Sequence, residues 1–265
     1  MLALLLIGTA AVVLVMLLLW LLGIKQRNFS YVDIGWSINF ALLALIYGAL
    51  SDGDATRRLL ICLMYLLWST RLAVHLAGRI IGEPEEGRYV QLRAEWGTKG
   101  NLNLKFLAFF QFQALLNVVL SLPMLFAAVN SETGLHALEI VGAGVWVVAI
   151  GGESLADAQL KRFKQVPANK GRVCDVGLWG WSRHPNYFFE WLIWIGYALF
   201  ALASPGGWLT LLLPLLMLHF LINVTGVKPT EEQALRSRGD AYRDYQRRVS
   251  AFIPLPPRQD KGRNV

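Results

Sequence analysis

The first 24 residues, MLALLLIGTAAVVLVMLLLWLLGI, carry no charged side chain. This run constrains the chain more than any other feature. A bilayer-spanning helix takes about 20 apolar residues, and hydrocarbon accepts only helices or closed barrels. The run has no basic n-region and no A-x-A site, so it reads as a retained helix rather than a cleaved signal. Further apolar segments follow at 32–50, 59–78, 104–129, 136–156, 185–203 and 207–226. Seven transmembrane helices are expected. Tight hairpins join them at 51–56, 130–135 and 204–206, where SDGD and SPGG supply turn chemistry. Only 16% of the 265 residues are charged, against about 25% in soluble domains. The expected fold class is an all-α polytopic membrane protein, a single membrane domain over 1–265.

The basic residues orient this layout. With the N-terminus outside, the inner segments are 25–31, 79–105, 157–184 and 227–265, and they hold 22 of the 25 Lys and Arg. Only Arg57 and Arg58 fall outside, and Arg71 lies within a span. Positive charge on the cytoplasmic loops favours N-out, C-in and an odd number of spans. The net charge of +7 therefore reports topology and contact with anionic membrane lipids. It does not imply nucleic acid, because no basic stripe or recognition motif accompanies it. Cys62 and Cys174 fall on opposite sides of the layout and cannot pair. Neither has metal-ligand spacing to a His, so no metal site is expected. In the polar tail, 227–265, the last half-dozen residues are expected to fray.

Polar side chains inside the spans recur one helical turn apart. The pairs are Arg71 with His75, Gln113 with Asn117, Glu153 with Asp157, Asn186 with Glu190, and His219 with Asn223. Each pair shares a helix face. Such residues are costly in lipid, so they face the bundle interior as interhelical hydrogen bonds or as a site. Glu153 and Asp157 stand apart, because two carboxylates repel unless a cation or donor sits between them.

The segment WSRHPNYFFEWLIWIGYALF, 181–200, concentrates these features. Pro185 suits the first turn of a helix, and His184 before it is pushed to an extended conformation. The helix N-terminus with Arg183 and His184 offers positive charge to an anion. Lys161, Arg162, Lys164, Lys170 and Arg172 lie just upstream. One turn deeper, Asn186, Tyr187 and Glu190 offer hydrogen bonds to a flat polar group. A ligand with an anionic tail and a hydrogen-bonding ring suits both halves, such as a nicotinamide dinucleotide or an S-adenosyl compound. No G-x-G-x-x-G occurs, so no Rossmann unit is expected. A plainer account, an interfacial anchor with a Trp/Tyr belt, explains Arg183, Trp181 and Trp191 but not Glu190.

Three stretches, ESLADAQLKRFK (153–164), GLWGWSRHPNYFFEWLIWIGYAL (177–199) and GVKPTEEQALRSRGDAYRDYQRRVSAFIP (226–254), resemble the steroid 5α-reductase-like superfamily, most of all its bacterial branch. NFSYVDIGWSINF (28–40) and WSTRLAVHLAGR with EEGRYVQLRAEWG (68–97) are similar to that branch too. The resemblance implies an NADPH pocket formed by the inner ends of the last three spans and the tail. The cofactor side would then be 136–254, and the substrate side 1–129. By motif, Glu153 and Asp157 match an acidic pair near the adenosine–ribose, and Lys164 a phosphate contact. Asn186, Tyr187 and Glu190 match the residues that hold the nicotinamide end. Arg236, Tyr242 and Tyr245 belong to the covering tail, and Glu231 or Glu232 matches an acidic position there. The R-H-P before Asn186 is shared with isoprenylcysteine carboxyl methyltransferases, which bind S-adenosylmethionine. Steroid-reducing members use a Gln–Glu pair in span two and a Tyr in span three. Span two here offers Asp33, Trp36 and Asn39, and span three Arg71 and His75.

The expected function is NADPH-dependent reduction of an activated C=C bond in a lipophilic, steroid-like or isoprenoid substrate. The substrate would enter from the bilayer among spans one to four. A donor to its carbonyl would come from Asp33, Tyr89 or the Arg71/His75 face. The alternative is an S-adenosylmethionine-dependent methyltransferase acting on a lipid. A third possibility is a non-catalytic lipid-binding or assembly protein. The expected location is a bacterial inner membrane or an ER-type membrane.

Overall fold

The structure, a computed structural model, describes residues 1–97 and 100–258. The end expected to fray lies outside them. The described residues are helical with no strand, apart from one isolated bridge, Ser182 to Ser250. Helices α1 (Leu2–Gln26), α2 (Tyr31–Leu50) and α3 (Ala55–Ile80) are followed by the short α4 (Gly87–Gly97). Then come α5 (Leu102–Leu120), α6 (Leu122–Ala128), α7 (Ala137–Gln165), α8 (Pro185–Ala201) and α9 (Leu212–His219), with α10 (Val227–Arg238) and α11 (Asp240–Arg248) in the tail.

Among the described residues, six helical stretches are long and apolar enough to cross a bilayer: α1, α2, α3, the pair Leu102–Ala128, α7, and Gly207–Arg238. The protein is an integral membrane protein. Expected span 185–203 is α8, whose 17 residues extend about 26 Å at 1.5 Å each. Expected span 104–129 is broken after Ser121, where Pro123 cannot donate a ladder hydrogen bond. Expected span 207–226 passes from a 3-10 turn, Gly207–Leu211, through α9 to a π-helical turn, Phe220–Val224.

The chain forms two compact units: Met1–Ala137 with Phe200–Trp208, and Leu138–Leu199 with the chain from Leu209 on. In the first, α2 packs on α1 and α3, and α1 on α5. Phe40 and Trp68 meet edge to face with centroids 5.3 Å apart. Asn39 Nδ2 donates to Asn117 Oδ1 at 2.9 Å, and Asn117 Nδ2 to the Trp36 carbonyl at 2.9 Å. Asn117 is thus an interhelical hydrogen bond of the kind its spacing allows. The 51–54 turn sits hard against the 128–134 turn. A Cβ on Gly53 would lie 2.2 Å from the Ala128 carbonyl oxygen. Arg57 is 0% exposed, and its guanidinium donates to the carbonyls of Asn130, Glu132 and Gly134 at 3.2, 2.6 and 2.6 Å.

In the second unit, α7 and α8 approach through small residues, as helices in lipid do. A Cβ on Gly152 would lie 2.4 Å from the Phe189 ring, and one on Gly196 would lie 3.0 Å from the Gly142 carbonyl. Close contact of these two helices sets the start of α8 beside the end of α7.

Candidate functional site

The loop between α7 and α8 is held by its own side chains before any ligand is considered. Gly177 adopts φ +59 and lies against the Gln159 amide, where a Cβ would fall 2.6 Å away. Gln159 Oε1 accepts from Leu178 N at 2.9 Å, and Trp179 Nε1 donates to the Ala156 carbonyl at 2.9 Å. Ser182 Oγ accepts from His184 N at 3.1 Å and donates to the Phe252 carbonyl at 2.8 Å. Pro185 then opens α8, where its missing N–H costs nothing.

Arg183 and His184 are buried, and both turn to Glu231 on α10. Arg183 Nε lies 2.6 Å from Glu231 Oε1, and His184 Nε2 lies 3.3 Å from the same oxygen. Gln246 Nε2 donates to Glu231 Oε2 at 2.9 Å, and the Tyr242 hydroxyl reaches Oε1 at 3.5 Å. Arg183 Nη1 also donates to the carbonyls of Gln246 and Val249, at 3.1 and 2.6 Å. Of the two acidic positions considered in the tail, Glu231 faces inward and Glu232 is exposed. Tyr245 donates its hydroxyl to the Trp179 carbonyl at 2.5 Å. One carboxylate thus ties the tail to the loop. Burial first, and then the Glu231 charge, pushes the Tyr242 phenol up to about 12. Burial also raises the Tyr245 phenol and the Cys174 thiol, so all three stay protonated at neutral pH.

These elements enclose a cavity of about 200 Å³. Of the residues expected to hold a cofactor, Lys164, Arg183, His184, Asn186, Tyr187, Tyr242 and Tyr245 line it. Cys174, Trp179, Thr230 and Arg238 line it too, without having been singled out by the sequence. His184 and Tyr187 stack with their rings 2° from parallel and centroids 5.5 Å apart. Glu153, Asp157, Arg172, Glu190, Glu231 and Arg236 are not among the lining residues. Asp157 and Glu231 stand behind residues that are. Glu153 is buried on α7, and Glu190 Oε1 accepts from Trp194 Nε1 on its own helix at 2.9 Å. Arg172 accepts from Arg238 through its backbone carbonyl at 3.2 Å, and Arg236 is exposed.

Asn186 is the unfinished member of the set. Its Nδ2 donates to Asp157 Oδ1 at 3.3 Å, which fixes the amide's orientation, since the flipped amide would set two acceptors face to face. Its Oδ1 is buried and accepts no hydrogen bond. Such an atom costs about 1–3 kcal/mol and calls for an explanation.

The residues expected to polarise a substrate lie in the first unit. Asp33, in the first turn of α2, accepts from the Tyr89 hydroxyl at 2.8 Å and pairs with Arg88. Arg88 also lies over the Tyr89 ring at 4.8 Å. Burial first, and then the Asp33 charge, drives the Tyr89 phenol well above its ordinary value, so it remains a donor. The segment around α4 is pinned to the start of α2 by Phe29 N to Glu85 Oε1 at 2.7 Å and Glu86 N to Ser30 Oγ at 2.9 Å. Arg93 also bridges Glu85 at 2.9 Å. Asp33 and Tyr89 are therefore brought together, with Arg88 as a third member. Arg71 is half-buried on α3 and His75 is exposed.

Among known proteins, the chain is similar to the uncharacterised protein C594.04c of Schizosaccharomyces pombe. The two are 28% identical over 269 residues, covering 89% of this chain and 75% of the yeast protein. No solved structure gives a significant match. The family model described as protein of unknown function, DUF1295, matches residues 19–249. That match takes in most of both units, from within α1 to the residue that follows α11, and the chain belongs to the DUF1295 family.

Proposed function

We propose that the cavity at the start of α8 receives the nicotinamide end of NADPH, and that the protein reduces an activated C=C bond in a lipophilic substrate. The buried, unpartnered Oδ1 of Asn186, a residue that lines the cavity, is the observation that carries this proposal. It is an acceptor held in place by Asp157, and a carboxamide N–H is the donor it lacks. The other lining groups fit. Lys164 and Arg238 supply positive charge for phosphate, and the stacked His184–Tyr187 pair gives a flat wall for a ring. Ligand pockets usually enclose about 300–1,000 Å³, so a cavity of about 200 Å³ takes one end of a dinucleotide and not the whole.

When bound, NADPH supplies a hydride. The chain's own work is to hold and orient. Asn186 fixes the carboxamide. Glu231 keeps Arg183 and His184 in place. Tyr242, Tyr245 and Cys174 stay neutral and add no charge beside the ring. The donor to the substrate's carbonyl is drawn from Asp33, Tyr89, Arg71 and His75; of these, Tyr89 already gives its one hydroxyl proton to Asp33. The motif series at 153–157, 183–190 and 242–254 supports kinship with the steroid 5α-reductase-like superfamily. The Lys and Arg asymmetry supports a seventh crossing by α8, with N-out and C-in.

The test is titration of purified protein with NADPH and, separately, with S-adenosylmethionine, read by calorimetry. NADPH is expected to bind, and Asn186→Leu to weaken it about tenfold, the worth of one well-placed hydrogen bond. Alkylation of Cys174 in a Cys62→Ser background is expected to slow when NADPH is present. Saturable binding of S-adenosylmethionine with no response to NADPH would replace the reductase with a methyltransferase.

A further inference from the structure

A second cavity, of about 460 Å³, lies in the first unit between α2 and the first half of α3. It is within the range of about 300–1,000 Å³ typical of ligand sites. Small side chains on α2 open it. Ala44 and Gly48 lie one turn apart, with Ala49 beside them, and a Cβ on Gly48 would come within 3.3 Å of Cys62 Sγ. Leu45, Leu59 and Leu63 flank it and are 59%, 61% and 40% exposed on helices long and apolar enough to cross a bilayer. The walls are hydrocarbon and open sideways.

The single charged residue of this lining is Arg58. Its Nη1 donates to the Ser51 carbonyl, which steadies the guanidinium at the end of the groove. A guanidinium has five N–H donors, so most of the fork is left over by that bond. Its neighbours do not neutralise it within the groove. Asp54 caps α3 by accepting from Arg57 N at 2.9 Å, Asp52 lies exposed on the turn, and neither lines the cavity. Arg57 is no competitor for a ligand, since it is fully buried on the turn carbonyls. An apolar trough ending in one steadied guanidinium matches a long hydrocarbon chain ending in phosphate.

We propose that this groove is a binding site for an anionic glycerophospholipid of the surrounding bilayer, with an acyl chain along α2 and α3 and the phosphate on Arg58. The site is separate from the cavity at the start of α8, and its test does not involve a nucleotide.

Native mass spectrometry of the delipidated full-length protein, titrated with phosphatidylglycerol or with diacylglycerol of the same chains, decides it. Wild type is expected to take up one phosphatidylglycerol per chain and to bind diacylglycerol at least about tenfold more weakly. Ala49→Trp places bulk in the groove from an exposed position and is expected to abolish uptake. Arg58→Gln is expected to lower phosphatidylglycerol affinity about tenfold and leave diacylglycerol unchanged. Thermal melts of both variants in detergent, matching wild type, confirm that the fold is intact. Equal uptake by wild type and Ala49→Trp would overturn the site. Equal affinity for the two lipids would overturn the role of Arg58.

Discussion

Two polar clusters, one in each unit, use the same residue types to opposite ends. Around Asp33 the chemistry is closed. Each carboxylate oxygen has a partner, Tyr89 on one and Arg88 on the other, and burial keeps the phenol protonated. Around Asn186 it is open. Glu231 gathers Arg183, His184, Gln246 and Tyr242, yet the amide beside this hub keeps a buried oxygen without a donor. A cluster that satisfies itself positions the backbone. A cluster that leaves one atom unsatisfied, with the rest locked, is built to receive something.

The largest expected effect tests the locked part. Glu231→Ala strands a buried guanidinium and a buried imidazole, and breaking such a pair costs about 3–5 kcal/mol. A strongly lowered Tm in detergent is expected; an unchanged melt would show that the hub is not structural. Next comes alkaline pH. The Tyr242 phenol titrates near 10 in the unfolded chain and about 12 in the folded one. Its contribution is full below pH 10 and is lost as pH rises toward 12, about 2–3 kcal/mol in all. Melts from pH 9 to 12 should fall less steeply for Tyr242→Phe than for wild type, and parallel curves would contradict the assignment. Smaller still, Tyr89→Phe removes a hydrogen bond to a carboxylate and should cost about 1.5 kcal/mol, seen as a modest loss of Tm. The smallest shift is the sharpest. Asn186→Leu removes an unsatisfied acceptor and, with it, the long 3.3 Å hydrogen bond to Asp157; the two effects oppose each other and should leave stability within about 1 kcal/mol, while NADPH binding falls. Loss of stability comparable to Glu231→Ala would close the second cluster and remove the contrast.

The apolar runs make the helices legible, because a span needs little beyond length and hydrocarbon. Their interruptions are harder to read. Ser121 and Pro123 divide one run, and nothing in FLINV announces the π turn at Phe220–Val224. Asn186, Tyr187, Tyr242 and Tyr245 stand out in sequence because polar or aromatic residues recur there at motif spacing, and the structure gathers them around one cavity. Arg88 was not legible. In a polar segment an arginine looks like a solvated charge until α4 folds back on α2. Arg238 and Thr230 are hidden in the same way, as ordinary surface residues of a charged helix. Glu190 is legible as a carboxylate in an apolar run, but its acceptance from Trp194, one turn on in its own helix, is not.

The pairing of Ser182 with Ser250, and of Arg183 with carbonyls at 246 and 249, has a consequence for biosynthesis. The partners that complete the loop before α8 are made 66 residues after Arg183 itself. At about 5–20 residues per second the ribosome needs about 3–13 s to deliver them. For the first 48 of those residues, until Glu231 is made, a guanidinium and an imidazole wait at the mouth of a nascent helix without their carboxylate. The cavity is therefore among the last parts of the molecule to exist, and nascent chains released short of residue 246 should be the form that quality control removes.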